Sequence, residues 1–363
     1  MLSRLFVKNK FFVPLLTIPV IMSLIGLVFI FEASSVRAVA ETGNSLHYFR
    51  LQGIWFLLGM AVLFFFSRFD YKKLYFLSFL SMAVTILLLV VVLIPGIGSS
   101  ANGARRWIDF GFFNVQPTEL AKFSIIVYLA SWFRNSEKRR FLSFISLVGF
   151  LIFLIILQPD MGTSTIVMLL SLIIYYLAGM NMIHLFLLAP VVAGAFYLLI
   201  KSSPYRFNRF MAFMNPASDP LGIGYHINQI LISLSNGGVI GSGFGSSRQK
   251  YLFLPEAHTD SIFAIIGEEY GLVGGLILLS LYFVFVYKIY HLIRVAPDKL
   301  SRLLVCGVFA FFNLQVIINL AGVTGLFPLT GVPLPFLSYG GSNLLISFAL
   351  VGILLNIERK VRV

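Results

Sequence analysis

The sequence predicts an all-α polytopic membrane protein with about ten transmembrane helices, and three observations carry that prediction. The chain has 363 residues, of which 59% are hydrophobic and 11% charged, whereas soluble domains carry about 25% charged residues. Apolar windows near the length that crosses a hydrocarbon core, about 20 residues, recur along the chain. Polar breaks, most of them short, separate them, and no Pro- or Ser/Gly-rich linker and no fixed-period repeat divides residues 1–363, so they read as a single domain.

In order, the windows are 11–33, 47–67, 73–95, 118–133, 141–157, 162–178, 182–200, 261–290, 303–324 and 342–357. The first follows Arg4, Lys8 and Lys10 but is too long for a secretory signal and lacks a small-residue cleavage pattern, so it reads as a retained helix. Lys and Arg concentrate on the cytoplasmic side of membrane proteins, which places both termini inside. Seventeen of the 27 Lys and Arg then fall on the inner face with four acids, and this accounts for the whole net charge of +13. A nucleic-acid partner is therefore not expected, and the basic face suits anionic membrane lipids. Cys306, the only cysteine, lies mid-span, which excludes an intrachain disulfide and a cysteine metal site and leaves a packing role.

The inner connections are short and basic. Four outer stretches are different, rich in Gly, Pro, Arg and acids: 95–119, 157–163, 201–260 and 325–342. In the first, Arg105 and Arg106 beside Trp107 suit headgroup anchoring or bidentate phosphate binding. Thr118 is expected to cap the fourth helix, with Glu119 and Lys122 three residues apart on one face. They form either a self-neutralising ion pair or the lining of a polar cavity. Asp160, in the tight turn before the sixth helix, is placed to cap it.

The large outer loop between helices 7 and 8, residues 201–260, opens with Arg206 in an aromatic and basic stretch suited to an interfacial helix. A short surface or re-entrant helix is predicted over 229–239. The glycines at 237, 238, 241, 243 and 245 lack the preceding strand and the Gly-Lys-Ser/Thr ending of a phosphate loop, so a dinucleotide site is rejected. Arg248, Lys250, Glu256, His258 and Asp260 then lie within thirteen positions of one another. Asp260 is also placed to cap the eighth helix, and the density of charge points equally to a site. Last come Pro333, Pro335, Ser338, Gly340 and Gly341, whose irregular backbone is tolerated only against protein or a wet cavity.

These motifs, in this order and across nearly the entire chain, resemble the SEDS family (shape, elongation, division and sporulation) of peptidoglycan polymerases. The segments that carry the likeness are 102–107, 116–122, 158–163, 237–245, 254–269 and 331–342. The wording of Ser247 to Lys250 and Pro255 to Asp260 is closer to the FtsW branch than to RodA, and the sporulation branch, SpoVE, shares much of it. The resemblance implies a glycosyltransferase of the bacterial cytoplasmic membrane, at the division septum, that polymerises lipid II on the outer face. Its partners are implied to be a class B penicillin-binding protein and other divisome proteins.

It also maps the family's implied acid onto Asp260, here expected to act as general base, and the fourth-helix pair onto Glu119 and Lys122. Arg105, Arg106, Lys122, Arg248 and Lys250 form the pool for pyrophosphate ligands. Asp160, Arg206, Glu256, His258 and Ser338 complete the candidate substrate-binding set. No cofactor is implied with certainty, and a divalent cation is left open because no strong ligand cluster is spelled out. A lipid II flippase or a non-catalytic division scaffold are the rival readings.

Overall fold

The computed structural model describes residues 12–101, 104–111, 114–135, 140–216 and 219–361. Of the charges used for orientation, Arg4, Lys8, Lys10, Glu137, Lys138, Arg139 and Arg362 lie outside the described residues, as do Asn102 and Gly103 in the first outer motif. The helices are α1 (Phe12–Thr42), α2 (His47–Arg68), α3 (Leu74–Val91), α4 (Pro117–Trp132), α5 (Phe141–Leu157), α6 (Met161–Leu177), α7 (Met182–Lys201), α8 (Pro204–Met214), α9 (Tyr225–Gly237), α10 (Ile262–Val295), α11 (Lys299–Val323) and α12 (Gly341–Val361). Every predicted window coincides with one of these. The two others are α8, in the stretch suited to an interfacial helix, and α9, which starts at Tyr225, four residues before the short surface or re-entrant helix read over 229–239, and ends at Gly237.

Six helices, α1, α2, α3, α7, α10 and α11, are long and apolar enough to cross a membrane by themselves, and α5 and α6 are shorter apolar helices. The chain is thus a polytopic helical membrane protein. In contrast, α4 and α12 are buried along most of their length, so protein rather than lipid surrounds them. Side chains that would be costly in hydrocarbon are tolerated there. At the other extreme, α7 has no buried residue.

The all-α expectation has one exception. Strands β1 (Gly98–Ala101), β2 (Ala104–Asp109) and β3 (Asn114–Val115) form an antiparallel meander. This stretch is too polar to span and too interrupted by glycine for a helix, so its backbone groups find partners by pairing with each other. Ala104 and Ile108 of β2 point inward and are buried.

At 34 residues α10 would run about 51 Å if straight, well beyond an apolar core of about 30 Å. It breaks at Gly271, where φ is 62° and ψ −160°. The glycine cluster at 237–245 repairs the break. Main-chain N–H groups of Ser242 and Gly243 donate to the Glu268 and Glu269 carbonyls at 3.0 Å, while Leu272 and Val273 donate to the Gly238 and Val239 carbonyls at 3.0 and 3.1 Å. A Cβ on Gly271 would lie 2.5 Å from the Gly241 nitrogen, so only glycine lets the two backbones approach this closely. This is the structural use of a cluster that superficially suggested a phosphate loop.

Packing of α12 on α2 dominates the bundle. Gly341 leaves room for Trp55, whose indole nitrogen would be 2.1 Å from an added Cβ, an instance of small residues permitting close helix approach. At one end of the bundle Asp298 and Ser301 form a capping box on α11, the Tyr71 hydroxyl donates to Asp298, and Lys360 pairs with Asp70 at 3.0 Å. At the other end the four polar stretches converge, as the sequence implied. Arg106 donates to the Gln158 and Pro159 carbonyls, Arg209 to that of Leu329, and the Tyr339 N–H to that of His258.

Candidate active site

The segment from Gly245 to Ser261 is a run of tight turns tied down at both ends. At its start the Lys250 ammonium donates to Glu32 of α1 at 2.5 Å and to the Gly245 carbonyl at 2.7 Å, with Glu269 of the broken helix at 3.6 Å. At its end Asn319 Nδ2, near the C-terminal end of α11, donates to the carbonyls of both Asp260 and Val332 at 2.8 Å. One amide thereby couples the entry of α10 to the irregular segment before α12. Between these anchors Leu252 and Glu256 have φ of 69° and 50°. Non-glycine residues adopt that left-handed conformation only when their surroundings impose it.

Asp260 does not cap α10. Ser261 occupies the N-cap position, and no side chain caps the helix. The Asp260 carboxylate instead accepts a long bond, 3.4 Å, from the Thr259 hydroxyl, which also donates to Glu256 at 2.9 Å. Asp260 is 9% exposed. Burial first, then the Glu256 charge, push its pKa up to about 6, and Arg209 pulls in the opposite direction. The carboxylate lines a narrow cleft with Asn319, Gly331 and Leu329. On the far side of Leu329 a cavity of about 240 Å³ opens between α8 and α9, lined by Arg209, Asn208 and His226 among apolar side chains.

His226 bonds Ser261 through Nε2 at 2.8 Å, and burial followed by the Arg209 charge lowers its pKa to about 4. His258 is 4% exposed, with its ring between Tyr48 at 4.6 Å and Tyr339 at 5.4 Å. Its Nδ1 has no hydrogen-bond partner, and burial with the nearby Arg37 lowers its pKa to about 4. Both imidazoles are neutral near pH 7. Glu256 faces Arg37 at 3.8 Å.

The structure places the other predicted residues in two groups. Glu119 and Lys122 form an ion pair of 2.7 Å at 3% and 1% side-chain exposure. Asn343 donates to the second Glu119 oxygen at 2.9 Å and to Gln315 at 3.0 Å. The self-neutralising pair is thus what the fold builds, inside the bundle. Thr118 does not cap α4: Pro117 takes the first helical position, for which its fixed φ is suited, Gln116 precedes it, and the Thr118 hydroxyl is buried without a partner. Asp160 does cap α6, accepting from the Thr163 N–H at 2.9 Å and hydroxyl at 2.8 Å. Arg106 braces the adjoining turn, Arg206 donates to the Leu199 carbonyl at 3.3 Å, and the Ser338 hydroxyl accepts from the Leu334 N–H at 2.9 Å. Arg105 and Arg248 are exposed.

Of the predicted ligands, Glu256 shares the Thr259 hydroxyl with Asp260, and His258 stands two positions before it with its ring between Tyr48 and Tyr339. Arg209, His226 and Asn319 were not selected from the sequence. Asn319 carried a readable signal, a polar side chain inside an apolar window. Arg209 sat in a stretch that suits an interfacial helix equally well. Among the described residues no three His, Cys, Asp or Glu side chains come together as metal ligands.

A family model described as "Cell cycle protein", FTSW_RODA_SPOVE, matches residues 13–363. The chain belongs to the FtsW/RodA/SpoVE family. Relatives in that family include the stage V sporulation protein E of Bacillus subtilis, 37% identical over 96% of this chain and 97% of the relative. The probable peptidoglycan glycosyltransferase FtsW of Coxiella burnetii is 38% identical over 92% of each chain. Among solved structures, the rod shape determining protein RodA of Thermus thermophilus superposes with a TM-score of 0.71 at 25% identity, covering 96% of each chain. A chain from "Structural coordination of polymerization and crosslinking by a peptidoglycan synthase complex" gives 0.77 at 26% identity, over 96% of this chain and 97% of that one.

Proposed function

We propose that this chain is a peptidoglycan glycosyltransferase that polymerises lipid II on the outer face of the cytoplasmic membrane, with Asp260 as general base. The observation that carries the reading is the placement of Asp260, a buried carboxylate with one long hydrogen bond, raised to about 6, beside a cavity holding a guanidinium. In the reaction the acceptor sugar's 4-hydroxyl attacks the donor's anomeric carbon. The bond from that carbon to the diphosphate oxygen breaks, its electron pair leaves with the lipid diphosphate, and the hydroxyl proton passes to Asp260. A base of this kind is worth about 10² to 10⁴ in rate. A carboxyl titrating near 6 is mostly ionised at pH 7 yet retains more basicity than an ordinary one.

Family membership supports the reaction class, since several relatives carry the name peptidoglycan glycosyltransferase. One solved relative belongs to a peptidoglycan synthase complex, which supports a class B penicillin-binding protein as partner; other divisome proteins and a septal location are part of the proposal by analogy with the FtsW relatives. The polar stretches gather at one end of the bundle, as suits a surface reaction on a lipid-anchored substrate more than alternating access by a flippase. The test is Asp260→Ala protein, purified at normal yield and given lipid II with its transpeptidase. Loss of glycan chains is expected, and continued polymerisation refutes the base assignment.

A further inference from the structure

We propose that the cavity between α8 and α9 is the diphosphate site of this reaction, with the Arg209 guanidinium as its anion ligand. The inference rests on the glycosyl-transfer reading above and adds which residue receives the leaving group. It begins from where the other basic candidates go. Lys122 and Lys250 are 1% and 8% exposed and held by carboxylates, and Arg106 is engaged with two main-chain carbonyls. None of the three lines the cavity next to Asp260, whereas Arg209 does.

The cavity's lining has the chemistry of an amphiphilic anion. Among the described residues that line it there is no carboxylate, and Arg209 is the ionised one because His226 is neutral near pH 7. Asn208 and His226 add polar contacts, while Ala212, Phe213 and Ile227 form an apolar wall. A volume of about 240 Å³ is below the roughly 300–1,000 Å³ of sites that enclose drug-sized ligands. It suits a diphosphate and the first carbons of its tail better than a whole lipid-linked sugar. A guanidinium presents a planar fork that matches phosphate oxygens.

Position completes the case. Leu329 lines both this cavity and the cleft of Asp260, and Arg209 Nη1 donates to the Leu329 carbonyl at 3.3 Å, which orients the guanidinium along the shared wall. Base and anion ligand therefore flank one residue. As the anomeric C–O bond breaks, the charge that develops on the diphosphate oxygen is met by Arg209, while the proton moves to Asp260.

Full-length protein in nanodiscs of zwitterionic lipid tests this with two probes, undecaprenyl diphosphate and inorganic pyrophosphate. Arg209→Ala is expected to weaken binding of undecaprenyl diphosphate at least tenfold, with Arg209→Lys in between. Ala212→Phe fills the cavity with Arg209 intact and is expected to weaken it comparably, so the result does not hang on one variant. Asp260→Ala removes a like charge and should bind as tightly as wild type or tighter. If inorganic pyrophosphate binds with the same dependence on Arg209, the headgroup alone is recognised. If it fails where the lipid binds, the apolar wall contributes, and both results support the site. Wild-type affinity for the lipid diphosphate in folded Arg209→Ala and Ala212→Phe proteins overturns it. A wild-type protein that binds diphosphate through Arg209 but never polymerises lipid II sinks the glycosyl-transfer reading and leaves the anion site standing; polymerisation with Arg209-independent binding does the reverse.

Discussion

Replacing Asp260 by Asn should make the protein more stable while removing its activity, and the size of the gain follows from the site. Burial and the Glu256 charge raise this carboxyl from an ordinary 3.8 to about 6. The folded state therefore disfavours the ionised form by about two pH units, or about 3 kcal/mol at 1.36 kcal/mol per unit. A raised carboxyl leaves stability untouched below the unfolded pKa. The destabilisation sets in as pH climbs through about 4 and is complete above about 6. Asn is neutral throughout, is nearly isosteric, and can still accept from Thr259. Thermal melts of wild type and Asp260→Asn in the same membrane mimetic should thus coincide most closely near pH 4 and diverge by a few degrees, Asn higher, by pH 7.5, with polymerisation of lipid II absent in the variant. An Asn protein that melts at or below wild type at pH 7.5, or a gap that ignores pH, would show that the carboxylate is not held in a disfavoured charge state. A site that destabilises its own fold is what a stability–activity trade-off looks like locally.

Four further outcomes are expected. Glu256→Gln removes the charge that helps raise Asp260, so the acidic limb of the pH–rate profile should move to lower pH; an unmoved limb uncouples the two carboxyls. Asn319→Ala deletes both 2.8 Å bonds that hold the Asp260 and Val332 carbonyls, at about 1–3 kcal/mol for buried groups left unpaired, and turnover should fall with melting temperature. Lys122→Ala strands the Glu119 charge inside the bundle and should cost about 3–5 kcal/mol, whereas Glu119→Leu with Lys122→Met should recover most of it, as a double-mutant cycle on thermal stability will read. Gly271→Ala puts a Cβ 2.5 Å from the Gly241 nitrogen at a φ of 62°. It should lower folded yield and release residues 238–243 from the break in α10 without touching Asp260 or Glu256, which limited proteolysis near residue 240 can follow.

Much of the architecture was legible along the chain because membrane spans are local objects. Each must be apolar over its own length and satisfy its own backbone, so hydropathy locates it without knowledge of neighbours. The surface helices α8 and α9 and the Asp160 cap were equally readable, since amphipathic stretches and caps depend on residues a few positions apart. Thr118 and Asp260 show where local reasoning stops. Thr118 stands one position inside α4 and Asp260 two before α10, and both have capping side chains, yet Pro117 claims the first turn of α4 and a long-range clamp from Asn319 sets the entry of α10.

The sequence by itself determined that this is a polytopic membrane protein, that its charged motifs sort to one face, and which family it joins, because composition, charge order and motif wording are written in one dimension. Only the tertiary structure decided which charges line a cavity. Lys122 and Lys250 looked as available as Arg209 until the fold brought Glu119 to the first, Glu32 and Glu269 to the second, and a cavity to the third. Solvation and partners of a charge are set by groups distant in the chain, and burial is likewise the first cause of the raised pKa of Asp260.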